Sequence, residues 1–323
     1  MASPRLVIAS RGSRLALTQT EMVADALKAA HPGVETEVLV VTTTGDRDRR
    51  PFSAIGGKGL FTTEVERAVV EVRADIAVHS AKDLTSELAP GCIIACVPRR
   101  ARSVDVVIGG SGASGEERLG TLAADARVGT SSMRRRALLA EARSDLEAVD
   151  FRGNLDTRLR KVADGEVDAA IVAAAGLDRL LGQTETGVLA APLDPDWWVP
   201  PPGQGALAVE ALADRGDVAD LLAPLEDPST RSELMAERAF SERLEGGCTV
   251  PLGCSARREE GRLVLVGLLA LPDGGRTLRD RISGPADEAA TLGRELADAI
   301  ISSGGDEILE ELAYEEPPPV EAP

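Results

Sequence analysis

The chain has 323 residues, with ordinary hydrophobic content and few aromatics, so Ala, Val, Leu and Ile must fill about two or three domain cores. Lys and Arg total 36 against 53 Asp and Glu, and the net charge of −17 argues against sequence-independent nucleic-acid binding and against docking on anionic lipid. The opening residues hold one Arg and a short apolar run, and no apolar stretch approaches ~20 residues, which reads as a soluble cytoplasmic protein with no export signal and no membrane span.

In chain order, residues 6–10 read as a strand. Ser13 is placed to cap a helix with Leu15, Met22, Val23, Ala26 and Ala30 on one face, ended by Pro32-Gly33. A β-branched strand follows over 35–44, then a charged, Gly-containing loop over 45–59. The next helix carries Phe61, Val65, Ala68, Val69 and Val72 at helical spacing, and residues 75–79 form a third strand. Cys92 and Cys96 lie four apart in an apolar run and read as small buried hydrophobes; with two histidines and no CxxC pair, no metal site is expected.

After Arg102 the alternation resumes, with strands over 104–108, 126–129, 146–151 and 168–173, each before a helix or turn. Pro200-Pro201-Pro202-Gly203 reads as a stiff return from one lobe to the other. Beyond it, Thr230 and Glu233 have capping-box spacing for a helix reaching Leu244. Strands over 262–271 and 276–282 flank the hairpin signal Pro272-Asp273-Gly274-Gly275, and helices start near Asp287 and Asp306. The expected fold is two α/β lobes plus a C-terminal α+β domain. The expected boundaries are 1–102 with 203–222 for domain 1, 103–202 for domain 2 and 223–314 for domain 3, with 315–323 a disordered tail.

Ligands of open α/β sheets bind beyond the carboxyl ends of the strands. Five such ends here carry Arg11 and Ser13; Ser80, Lys82 and Asp83; Thr130, Ser131, Ser132, Arg134 and Arg135; Arg152, Asn154 and Arg158; and Arg179. Together they describe a polyanion pocket inside an acidic protein, since Arg forks fit carboxylates and helix-opening N–H groups favour anions. Gly56-Gly57-Lys58-Gly59 departs from a phosphate loop, because Phe52 stands at the leading Gly position and no Ser or Thr follows Lys58; several carboxylates suit the Arg set at least as well. Asp83 beside Lys82 is the best acid/base candidate, the alternative being a surface ion pair. Cys248, on a Gly-Gly turn after a helix, reads as nucleophile, covalent anchor or inert loop thiol.

Eight segments, in order along nearly the whole chain, resemble porphobilinogen deaminase. They are Arg11-Gly12-Ser13 with Leu15, Ala16 and Gln19; Gly56-Gly57-Lys58-Gly59-Leu60-Phe61; the run from Ala74 through His79, Ser80, Lys82 and Asp83; and Gly129-Thr130-Ser131-Ser132-Met133-Arg134-Arg135. Arg152-Gly153-Asn154 with Arg158, Ala175-Gly176-Leu177-Asp178-Arg179, Gly203-Gln204-Gly205-Ala206 and Glu245-Gly246-Gly247-Cys248 complete the set. The resemblance implies two lobes of the type II periplasmic-binding-protein kind and a third domain presenting a dipyrromethane cofactor joined to Cys248 by a thioether. It implies that four porphobilinogens are joined with loss of ammonia and that hydroxymethylbilane is released, a step of tetrapyrrole (haem) synthesis.

By resemblance, Asp83 is catalytic. Arg11, Arg134, Arg135, Arg152, Arg158 and Arg179 hold pyrrole carboxylates, with Ser13, Ser80, Thr130 and Ser132 as neutral donors. Lys82 anchors a cofactor carboxylate and Phe61 stacks on a pyrrole. Gln19, Lys58, Ser131, Gly153, Asn154 and Gln204 complete the binding set, and the loop over 45–59 acts as a lid. Ala54, Val104 and Thr18 depart from residues common in the family, and Trp197-Trp198 reads as packing at a domain junction. A monomer is expected, with product passing to uroporphyrinogen III synthase. The rival readings are a two-lobed carboxylate-binding solute protein and an inactive paralogue.

Overall fold

A computed structural model describes residues 5–47, 59–245 and 250–315. Residues 1–4, 48–58, 246–249 and 316–323 lie outside that range. Along the chain run β1 (Arg5–Arg11), β2 (Glu35–Val41), β3 (Ile76–Ser80), β4 (Cys92–Cys96), β5 (Asp105–Gly109), β6 (Arg127–Gly129) and β7 (Glu147–Val149). They are followed by β8 (Ala169–Ala173), β9 (Ala190–Pro192), β10 (Leu207–Leu212), β11 (Leu252–Glu259), β12 (Arg262–Ala270) and β13 (Thr277–Gly284).

Three sheets result, ordered β2-β1-β3-β10-β4, β7-β6-β8-β5-β9 and β11-β12-β13. The two larger sheets share one plan. In the first, β2, β1 and β3 are parallel and β10 returns antiparallel between β3 and β4. In the second, β7, β6 and β8 are parallel and β5 returns antiparallel between β8 and β9. The chain leaves the first sheet after β4 and regains it at β10, so two crossings join the lobes. This is the α/β pair with a C-terminal α+β unit that the alternation and the resemblance implied.

The inner strands β3 and β8 are apolar and buried almost throughout, as strands covered on both faces must be. The edge strand β2 leaves Val38 and Val40 exposed. The helix Arg14–Ala30 starts where expected, with the Ser13 hydroxyl accepting from the Ala16 N–H at 3.2 Å, and buries Val23, Ala24 and Leu27. The helix Thr63–Val70 buries Val65, Ala68 and Val69, but Val72 is 66% exposed at positive φ, because the helix has already ended in a turn. Cys92 and Cys96 are buried on β4.

In the C-terminal unit the period-two pattern of β12 is used on both faces. Leu263, Leu265 and Leu269 pack on the helices Pro228–Arg243 and Ala289–Ile300. Val266 and Leu268 join the core of the second lobe beside Trp198 and Val199. Trp198 is fully buried there, so the junction reading of that residue holds. One capping assignment differs. Asp227, not Thr230, caps the helix Pro228–Arg243, accepting from the Thr230 N–H at 2.7 Å, because Pro228 occupies the first turn and the Thr230 hydroxyl is used by the Arg100 N–H at 3.0 Å.

Candidate active site

The carboxyl ends of β1, β3, β6 and β7 and the helix after β8 bring the expected residues to one cleft between the two larger sheets. Arg11 ends β1 with its guanidinium 4.3 Å above the Phe61 ring, a cation–π pair. Ser80 ends β3, and its hydroxyl meets the buried Gln19 amide, with Nε2 at 3.0 Å, so Gln19 acts through Ser80. Lys82 and Asp83 follow in a short 3-10 turn, both exposed to the cleft. That turn is braced by the return crossing. Gly203 has φ +74°, and a Cβ there would sit 2.9 Å from the Ala81 carbonyl carbon and the Lys82 nitrogen.

On the second lobe, Ser132 caps the helix Met133–Ala142 and the Thr130 hydroxyl accepts from the Ser132 N–H at 3.2 Å. The Ser131 hydroxyl donates to Asp150 at 2.5 Å and accepts from the Phe151 N–H at 3.0 Å, joining the ends of β6 and β7. Arg152 lies 3.5 Å from Asp150. Gly153, at φ +114°, lets the chain turn into the helix Leu155–Ala163, and its carbonyl accepts from Arg158 Nε at 3.0 Å. Asn154 is the exposed cap of that helix. Arg179, on the helix Ala174–Leu181, donates to the Gly205 carbonyl at 2.8 Å. Lys58 and Cys248, with Ala54 and residues 48–58 of the expected lid over 45–59, lie outside the described residues.

Arg134 and Arg135 are not open to the cleft as the others are. Both are buried on Asp105, which is fully enclosed at the start of β5. Arg135 grips it bidentately, Nη2 at 2.6 Å and Nε at 3.1 Å, and Arg134 Nη2 stands 2.6 Å away. Trp198 Nε1 at 3.1 Å and Gln204 Nε2 at 2.8 Å complete the set. Burial opposes a charge on Asp105, but Arg135 and Arg134 outweigh it and hold the carboxyl well below its ordinary range.

The electrostatics call for an anion. Lys82 lies deep in the cleft, where water still reaches it but protein surrounds its ammonium; desolvation first, then Arg135 and Arg134 against Asp83 and Asp105, lowers its pKa to about 8. Arg158 is lowered to about 10 by desolvation and by Arg135 and Arg152, and Arg179 to about 10 by desolvation. The buried Nε atoms of Arg134 and Arg179 have no hydrogen-bond partner. A ligand rich in carboxylates would relieve these strained cations, which fits the acetate- and propionate-bearing dipyrromethane that the resemblance implies.

Three residues outside the sequence motifs tie this cleft to the C-terminal unit. Buried Glu237 accepts Arg100 at 2.7 and 2.9 Å, the Gly203 N–H at 2.6 Å and the Ala256 N–H at 2.7 Å. Arg238 donates to the carbonyls of Thr85 and Ser86 at 2.9 and 2.8 Å, just beyond Asp83. These partners are far apart in sequence, and nothing local marks them; the one available signal was a charge placed amid buried spacing on the helix Pro228–Arg243.

Two family models match the chain: "Porphobilinogen deaminase, dipyromethane cofactor binding domain" over residues 6–220 and "Porphobilinogen deaminase, C-terminal domain" over residues 232–302. The chain belongs to the porphobilinogen deaminase family. It is 48% identical to the porphobilinogen deaminase of Roseiflexus castenholzii over 94% of this chain and 98% of that protein. It is 45% identical to that of Chromobacterium violaceum over 93% and 95%, and 41% identical to that of Syntrophotalea carbinolica over 96% of each. Among solved structures, the cofactor-binding domain of the Cbl transcriptional regulator aligns over 70% of this chain and 90% of its own at 17% identity, with a TM-score of 0.41; the fold assignment rests on the strand order above. As a porphobilinogen deaminase the protein is a transferase of tetrapyrrole synthesis with a dipyrromethane-binding domain, and the solute-binding reading falls away.

Proposed function

We propose that the cleft residues divide the family reaction, the joining of four porphobilinogens and release of hydroxymethylbilane, as follows. When bound through Cys248, the dipyrromethane supplies the pyrrole end to which incoming substrate is joined. Asp83 presents its carboxylate in the cleft, where it stabilises the cation left on the substrate pyrrole as ammonia departs and moves protons at the amine and ring carbon. Lys82, Arg11, Arg152, Arg158 and Arg179 hold acetate and propionate groups, with Ser13, Ser80, Thr130 and Ser132 as neutral donors. Arg134, sealed on Asp105, supports the site from behind, and Arg135 does so with its fork engaged.

The observation that carries this reading is the gathering of Lys82, Arg135, Arg152 and Arg158 within reach of one another's charge, with Asp83 beside Lys82, in a chain of net charge −17. The two sheet crossings support a division into domain 1 (1–102 and 203–222), domain 2 (103–202) and domain 3 (223–314). Among the described residues no helix is long and apolar enough to cross a membrane; a cytoplasmic monomer passing product to uroporphyrinogen III synthase is the reading that family membership supports.

Asp83→Asn tests the assignment. Turnover should fall by about 10²–10⁴ with the unfolding midpoint unchanged, because Asp83 is exposed to the cleft. Near-normal turnover would remove Asp83 from the chemistry.

A further inference from the structure

We infer that Asp105 is the positioning residue of this cleft: one buried carboxylate fixes Arg134 and Arg135 on the second lobe and, through Gln204, Lys82 on the first, so that the ammonium that meets substrate is held in place from across the lobes.

Five N–H donors converge on this carboxylate. Oδ1 takes Arg135 Nη2 and Gln204 Nε2; Oδ2 takes Arg134 Nη2, Arg135 Nε and Trp198 Nε1. Such a set fills the acceptor sites of a carboxylate and leaves it no freedom to swing. The arginine ends that do not face it are tied to the backbone, Arg134 Nη1 to the Val199 carbonyl at 2.8 Å and Arg135 Nη1 to the Ile171 carbonyl at 3.0 Å.

Gln204 carries the arrangement across the lobes. Its Nε2 also donates to the Ser103 carbonyl at 2.7 Å, and its Oε1 accepts from Lys82 Nζ at 3.2 Å. A turned amide would point its NH₂ at the ammonium and its carbonyl at the Asp105 carboxylate, repulsive at both ends. Asp105 therefore orients Gln204, and Gln204 locates Lys82. A lone structural ion pair would need only one arginine. Here a single acid serves two lobes, and without it Arg134 and Arg135 would remain as uncompensated buried charges pushing Lys82 away.

This inference rests on the cleft being the substrate site, but its test reads Lys82 alone and needs no turnover. The full-length chain carrying Cys248→Ser, with nothing attached at that turn, is acetylated with a water-soluble reagent over pH 6–11, and labelling of Lys82 is read by peptide mass spectrometry. The groups facing Lys82 are Asp83 on its own turn, Asp105 on β5, and Arg134 and Arg135 on the helix Met133–Ala142. Half-labelling is expected near pH 8 in the parent chain. Asp105→Asn removes an attracting charge and leaves both repelling ones, so the midpoint should fall by roughly one unit or more. A change that only loosened the lobe would free Lys82 into water and raise the midpoint toward its ordinary value. An upward shift or none overturns the inference. Gln204→Leu keeps Asp105 and both arginines and carries the test if Asp105→Asn does not fold; its midpoint should also fall, and an unchanged one overturns the relay. Loss of deaminase activity without these shifts would bear on the family mechanism and not on Asp105.

Discussion

Three cysteines are held where a thiol stays inert. Cys92, Cys96 and Cys254 are buried. Desolvation, aided by Glu210, pushes Cys92 up to about 12; desolvation with Glu226 pushes Cys96 to about 12; desolvation with Glu237 raises Cys254 well above its ordinary value. In native, cofactor-free protein at pH 7.5, iodoacetamide should leave all three unmodified while Cys248 reacts. Alkylation of any of the three before unfolding would contradict their burial. At this scale the arginines also divide. The places of Arg152, Arg158 and Arg179 beyond strand ends were legible in the sequence. The enclosure of Arg134 and Arg135 was not, because Asp105 is 29 and 30 residues away and meets them only across the sheet.

At the scale of elements, the helix Pro228–Arg243 does most of the joining. Glu237 and Arg100 form a bidentate pair in which both side chains are nearly sealed, and the same carboxylate fixes the backbone of the return crossing at Gly203 and of β11 at Ala256. Glu237→Gln removes the nearer of the two charges that pair with Arg100, leaving Glu233 at 3.6 Å, so it should destabilise the protein by up to about 3–5 kcal/mol. Thermal or urea unfolding checks this, and a change within about 0.5 kcal/mol would show that the pair does not brace the crossing.

The strands legible in sequence were those with uninterrupted apolar runs, such as β3 and β12. Strand β10 was hidden because Glu210 sits in its middle, where charge argues against a buried strand. The structure instead places that residue 3.0 Å from His79 on the neighbouring β3. Strand β11 was hidden by its Gly-Cys opening and charged end, and β9 by its brevity.

At the scale of the molecule, two sheets of one plan are joined by an exchange of one strand: β10 completes the first sheet only after the chain has built the whole of the second. That exchange places Gln204 and Gly203, on the return crossing, against Lys82 of the first lobe and Asp105 of the second. The overall charge is acidic while the cleft is cationic, so recognition of an acid-rich substrate is local to the site. The two-lobed plan and the cleft were legible because strand-end residues follow a general rule of open sheets. The attachment of the C-terminal unit was not, since it depends on pairs such as Arg100 with Glu237 that only folding brings together.

Whether this chain builds a pyrrole oligomer on its own thiol is read from the intact mass of denatured protein before and after addition of porphobilinogen. An initial excess of two pyrrole units is expected, mapped to Cys248 by peptide analysis, growing in single-pyrrole steps with substrate. A mass equal to the bare chain, unchanged by porphobilinogen, would contradict it and leave the inactive paralogue.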